Sequence, residues 1–128
     1  MRNSNQPTIL VIEDDPSFRE TLLEVLREDG YRLMATGGAK EALGLLEREL
    51  PSLILLDLMM PGINGQQLSR LLKANPRTAA VPVLALSGAG PEAVLEAEVD
   101  WYLAKPVEVQ VLLSTVRHLI QRALPAAV

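Results

Sequence analysis

Five short strand-like runs, each followed by a segment with helical periodicity, divide this chain of 128 residues into a repeating βα pattern. Thr8–Ile12 (TILVI) is β-branched, too short for a helix and bounded by acids, so it reads as a first strand. Asp15 and Pro16 then mark a helix start. The aspartate can cap free N–H groups, and proline at the first helical position gives up a donor that had no partner. Phe18, Leu22, Val25 and Leu26 share one face of that helix, and Gly30 reads as its stop. A second strand is expected over Tyr31–Thr36. Gly37 and Gly38 open a second helix with Ala39, Ala42, Leu43, Leu46 and Leu50 inward, ended by Pro51.

The third run, Leu53–Leu56 (LILL), is apolar on both faces, as expected of a central parallel strand covered on both sides. A turn over Pro61–Gly65 leads to a helix with Leu68, Leu71 and Leu72 inward. Val81–Leu86 reads as the fourth strand, with Pro82 tolerable near its start, followed by a fourth helix within Pro91–Val99. Trp101–Ala104 is the fifth strand. The last helix, from about Val107 to Arg122, places Leu112, Val116, Leu119 and Ile120 on one stripe. Short connections between alternating strands and helices require right-handed crossovers, hence an α/β domain with a parallel sheet between two helical layers. Boundaries are expected at a polar tail, 1–7, a folded domain, 8–122, and a short tail or linker stub, 123–128, too short for an effector domain.

Composition removes whole classes of chemistry. With no cysteine there is no disulfide scaffold, cysteine-ligated zinc, iron–sulfur cluster or thiol nucleophile. A single histidine excludes any site needing two imidazoles. Twelve basic residues against sixteen acidic, scattered and net −4, leave no electrostatic footprint for nucleic acid. No apolar run approaches the ~20 residues of a membrane span, and the polar start MRNSNQP is not signal-like, so a cytoplasmic location is expected.

In a doubly wound sheet the site lies beyond the carboxyl ends of the strands. There stand Glu13, Asp14 and Asp15 after the first strand, Asp57 after the third, Ser87 after the fourth and Lys105 after the fifth. Crowded carboxylates repel: two unit charges ~4 Å apart cost about 4 kcal/mol at an effective dielectric near 20. Either their pKa values rise or a cation sits among them. An oxygen-only donor set suits a hard ion, and a small cluster with room for water and phosphate suits Mg²⁺ better than Ca²⁺. Lys105, one of only three lysines, can stabilise phosphoryl oxygens, and the Ser87 hydroxyl can donate to them. An attacking carboxylate, a metal, a lysine and a hydroxyl are the parts for phosphoryl transfer to aspartate.

From about Thr8 to Arg122 the chain resembles the receiver domain of two-component response regulators. The matching motifs are Glu13-Asp14 in VIEDDPSFRE, Asp57 in LILLDLMMPGINGQQL, Ser87 in VPVLALSG and Lys105-Pro106 in YLAKP. The resemblance implies a (βα)5 flavodoxin-like fold with strand order 2-1-3-4-5. It makes Asp57 the phosphoacceptor, served by a histidine kinase or phosphotransfer protein, in a signalling switch rather than a turnover enzyme. Asp14 and Asp57 would bind Mg²⁺ with the Met59 carbonyl, Glu13 acting through water. Ser87 and Lys105 would contact the phosphoryl group, the Lys105-Pro106 bond would be cis, and Tyr102 would be the switch aromatic.

Other residues carry plainer expectations. Asp15 is a helix cap, Gly62 and Gly65 are turn glycines, His118 is an exposed helix residue, and Trp101 packs on the strand face opposite Tyr102. The 18 positions from Ser87 to Lys105 (105 − 87) are roughly one helical turn fewer than the family's usual spacing, so the fourth helix should be short. Output is then expected to run through another surface, the first or the last helix; a homodimer built on the fourth helix, fifth strand and fifth helix would overturn that. Met59 and Ala89 occupy the family's lifetime-tuning positions, and neither can orient water, which implies slow self-hydrolysis. Three rivals remain: a receiver working by contact without phosphorylation, an aspartyl-phosphate phosphatase of the haloacid dehalogenase type, and a flavodoxin-like FMN binder. The phosphatase would place its nucleophile after the first strand, and the FMN protein would want a hydroxyl- and glycine-rich loop where three acids stand.

Overall fold

The computed structural model describes residues 6–59, 65–88 and 90–123. The elements run β1 (Thr8–Ile12), α1 (Pro16–Glu28), β2 (Arg32–Thr36), α2 (Ala39–Arg48), β3 (Leu53–Asp57), α3 (Gly65–Ala74), β4 (Val83–Ser87), α4 (Pro91–Leu95), β5 (Trp101–Ala104) and α5 (Val109–Ala123). The five strands form one parallel sheet in the order β2-β1-β3-β4-β5, the expected topology.

Strand alternation sorts the core into two layers. Ile9, Val11, Leu53, Leu55, Leu84 and Leu86 face α1 and α5, while Leu10, Ile12, Ile54, Leu56, Val83 and Ala85 face α2 and α3. All four residues of the LILL run are 0–1% exposed, so β3 is apolar on both faces up to Asp57. Burial of each such side chain stabilises the fold by about 1.5–3 kcal/mol. At the head of α1 the Asp15 carboxylate accepts from the Ser17 and Phe18 amides, so the expected cap is present. The chain leaves α1 through Gly30 at φ +95, a conformation that favours glycine.

α4 is only five residues long, and a polar stripe on α3 compensates for it. Gln66, Ser69, Arg70 and Lys73 lie at i, i+3, i+4 and i+7, one face of a helix. Each bonds the segment 93–100. Gln66 Nε2 donates to the Ala93 carbonyl at 2.5 Å, Arg70 to the Glu96 carbonyl, and the Glu98 amide donates to Ser69 Oγ at 3.0 Å. Lys73 Nζ pairs with Asp100 Oδ2 at 2.7 Å, and that oxygen also accepts from the Val83 amide. The non-helical chain after α4 is thereby tied down before it enters β5.

Three packing expectations are corrected. Leu50 is exposed rather than inward: α2 ends at Arg48, and the extended Glu49 takes the chain off the helical spacing. Leu71 is also exposed, at 52%. Leu68 and Leu72 face the sheet and the polar stripe faces the segment 93–100, which leaves Leu71 on the remaining side of α3. Trp101 is 58% exposed instead of packed inward, because β5 is an edge strand. It lines an open cleft of about 290 Å³ with Ser114, Thr115, His118, Leu119 and Arg122 of α5. His118 is exposed, as expected. Of the expected turn, residues 61–64 (including Gly62) lie outside the described residues, as do Ala89 and residues 124–128 of the C-terminal tail.

Candidate functional site

Register brings the sequence-selected residues to one edge of the sheet. Ile12 pairs with Leu56, Asp57 with Leu86, and Ser87 with Ala104, so Glu13, Asp57, Ser87 and Lys105 all emerge at the carboxyl end. Asp57 and Ser87 are the last residues of their strands rather than the first residues after them. Glu13, Asp57 and Ser87 are 1%, 3% and 2% exposed. Buried acids at a strand end are costly unless paired or metal-bound, and here both are drawn toward one cation.

The Lys105 ammonium stands 3.3 Å from Asp57 Oδ2 and 3.6 Å from Glu13 Oε1. Asp57 Oδ1 accepts from the Met59 amide at 2.9 Å, and Glu13 Oε2 from the Asp15 amide at 3.1 Å, so backbone donors aim both carboxylates. Arg19 donates from Nη1 to the Glu13 carbonyl at 2.8 Å, fixing the backbone behind the pair. Glu13, Asp14 and Asp57 each offer an oxygen within 4.8 Å of the others. Asp14 is the least buried of the three and opens the cluster to solvent. Asp15 serves as a cap.

Electrostatics register the crowding. Burial pushes the Glu13 carboxyl up from 4.5 to about 7. The Asp15 amide works against that shift, the Asp57 carboxylate adds to it, and Lys105 offsets part of it. Glu13 Oε1 is buried without a hydrogen-bond partner, the Lys105 ammonium standing 3.6 Å away and the Asp57 carboxylate beside it. An all-oxygen triad with one unsatisfied, charge-starved oxygen fits a hard divalent cation such as Mg²⁺.

Around this centre, the Lys105-Pro106 peptide bond is cis. Tyr102 is 40% exposed on β5, and Met59 is exposed beside Asp57. Two neighbours were not singled out for the site by the sequence: Phe18, whose ring lies under the Lys105 ammonium, and Gly65, which packs on the Asp57–Leu58 backbone. The only sequence signal for the first is that Phe18 is the sole phenylalanine, four residues after Asp14.

Comparison with known proteins gives the class. The model of the response regulator receiver domain matches residues 9–117, and the chain belongs to that family. It is 38% identical over 112 residues to an uncharacterized 14.6 kDa protein of Leptolyngbya boryana, covering 84% of this chain and 86% of that one. It is also 38% identical over 119 residues to the DNA-binding response regulator MtrA of Mycolicibacterium smegmatis, covering 89% of this chain and 50% of that protein. The chain thus spans about half the length of the DNA-binding and transcriptional regulators it matches.

Among solved structures it resembles the signal receiver domain of a histidine kinase from Syntrophus aciditrophicus, with TM-score 0.88 and 31% identity, covering 94% of this chain and 95% of that one. It also resembles the receiver domain of sensor histidine kinase PA1611 from Pseudomonas aeruginosa, described with magnesium in its active-site cleft. That likeness has TM-score 0.84 and 28% identity, covering 91% of this chain and 98% of that one. Receiver domains of this family are signalling domains, with phosphoacceptance as their general function. Among the described residues no helix is long and apolar enough to cross a membrane.

Proposed function

We propose that this chain is a cytoplasmic phosphoacceptor switch that takes a phosphoryl group onto Asp57 from a histidine kinase or phosphotransfer protein. The observation that carries this reading is one buried carboxylate, Asp57, held 3.3 Å from an ammonium inside an acidic triad. An Asp57 carboxylate oxygen attacks phosphorus, the bond from phosphorus to the donor nitrogen breaks, and the freed imidazole takes up a proton. Bound Mg²⁺ would neutralise charge on the phosphoryl oxygens, held by Asp14, Asp57 and the Met59 carbonyl, with Glu13 through water. Lys105 pairs with a phosphoryl oxygen and Ser87 donates to another. Tyr102 then turns inward, and the altered surface reaches its partner through α1 or α5.

The test is intact mass after incubation with Mg²⁺ and a small phosphodonor, with proteolysis to locate the added group. One phosphoryl group on the peptide carrying Asp57, and none in EDTA, is the expected result. No gain while Mg²⁺ binds, or a gain elsewhere, overturns the assignment. Steady release of phosphate from a monoester would instead mark a phosphatase.

The exposed Met59 side chain bears on lifetime, because a thioether cannot orient an attacking water. Met59→Asn is expected to shorten the aspartyl-phosphate lifetime by about tenfold, equivalent to ~1.4 kcal/mol of barrier. Loss of the added mass with time measures it, and an unchanged decay would remove Met59 from that role.

A further inference from the structure

Lys105 makes one contact that the acidic triad does not explain. Its ammonium lies 4.8 Å from the centroid of the Phe18 ring, in the first turn of α1 directly after the Asp15 cap. Phe18 is only partly buried, packing against the core layer between the sheet, α1 and α5. Packing against that layer does not call for a charge over the ring. At this distance a ring attracts a cation by about 0.5–1 kcal/mol when exposed and ~2 kcal/mol when desolvated. The Lys105 side chain, 28% exposed, lies between those cases.

Three attractions therefore share one ammonium. Its contacts with Asp57 and Glu13, at 3.3 and 3.6 Å, are both longer than the ~2.7–2.9 Å of a closed charge-assisted hydrogen bond. An ammonium closed on Asp57 would hold the lone pair that must attack phosphorus. One released to solvent would offer nothing to the incoming oxygens. A phenyl ring can hold the charge between these extremes, since it is neutral, takes no proton and competes for neither metal nor phosphate. The Lys105 stem runs beside Gly88, where an added Cβ would meet its Cβ and Cδ at 3.8 Å, an ordinary contact distance.

We propose that Phe18 is a positioning residue for phosphoryl uptake: its ring holds the Lys105 ammonium off Asp57 and in place for the transferred oxygens. This rests on the function proposed above. Because the chain contains a single phenylalanine, biosynthetic replacement by fluorinated phenylalanines alters this ring alone. Fluorine drains the ring face of negative charge while nearly preserving its shape, so it separates attraction from packing.

The rate constant for uptake from phosphoramidate, at saturating Mg²⁺, is followed by intact mass. It is expected to fall stepwise from unmodified to trifluorinated ring, by about two- to fivefold in all. Phe18→Leu should match the slowest of these, and Phe18→Trp should keep the original rate. A flat fluorinated series overturns the proposal whatever the leucine variant does, because it assigns the ring to packing alone. Lys105→Met separates the two levels of inference. If the unmodified protein takes up phosphoryl and Lys105→Met slows it, a flat series removes only the ring's role. If Lys105→Met is not slowed, the ring has no ammonium to position and the proposal falls. If the unmodified protein takes up nothing, the assignment to Asp57 and the role of Phe18 fall together.

Discussion

Replacing Asp57 by asparagine is expected to abolish phosphoryl uptake and, in metal-free protein, to flatten the dependence of stability on pH. The first effect is total because an amide nitrogen or oxygen is not a usable nucleophile toward phosphorus here. The second follows from Glu13, raised from 4.5 to about 7 by burial first and by the Asp57 carboxylate next. A carboxyl whose folded-state pKa is raised binds its proton more tightly when folded. Its stabilising contribution is present below about 4.5 and is lost as pH rises through about 7. For a shift of this size the loss is roughly 3 kcal/mol between pH 4.5 and pH 8. Asparagine removes the neighbouring charge but not the burial, and it frees Lys105 to close on Glu13. Thermal melts in EDTA at pH 5 and pH 8 should therefore differ less in Asp57→Asn than in the parent, which isolates this pair from groups common to both. Added Mg²⁺ should oppose the parent's loss at pH 8 and do little at pH 5, since protons and cation compete for the same oxygens. Equal pH slopes in parent and variant would show that Asp57 does not govern the protonation of Glu13.

What could be read before the fold was known depended on whether local chemistry decided the outcome. The LILL run is the pattern expected of a strand covered on both faces, and an acid buried behind it is costly unless paired or functional. Asp15-Pro16 named its own role, because a cap is a contact within three residues. The acidic triad and Lys105 were legible through topology: parallel strands deliver their following residues to one edge, so order along the chain became proximity in space.

The misjudged residues have the opposite character. Leu71 fits a helical stripe as well as Leu72 does, and its exposure is decided by the segment 93–100, which α3 grips on another side. Leu50 follows the helical count but not the helix, which had already ended. Trp101 has the hydrophobicity of a core residue, but it stands on the edge strand of the sheet and is 58% exposed. The ring under Lys105 joins residues 18 and 105, a distance along the chain at which spacing carries no information.

Gly65→Ala is expected to destabilise the protein by about 2–4 kcal/mol and to weaken metal binding at the acidic triad. In the sequence this glycine looked like one more turn residue, yet it is the first residue of α3 and lies buried against the backbone that carries Asp57. A Cβ there would stand 2.5 Å from Leu58 Cα and 2.6 Å from the Asp57 carbonyl oxygen. Those are main-chain atoms of a central strand end, so no side chain can swing aside. The Gly65 amide also donates to the Leu58 carbonyl, and the Leu58 amide to that of Leu86, so α3, β3 and β4 are tied together at this point. Lifting α3 off would pull on Leu58 and tilt the carboxylate that the Met59 amide aims. Helix propensity works the other way, since alanine inside a helix is favoured over glycine by up to about 1 kcal/mol. Gly44, within α2 and with no atom within 4 Å of an added Cβ, supplies the contrast. Gly44→Ala should gain roughly 0.5–1 kcal/mol. Urea melts of the two variants should therefore move in opposite directions from the parent. A Gly65→Ala variant as stable as Gly44→Ala would mean that the close packing of α3 on β3 is not what holds Asp57 in place.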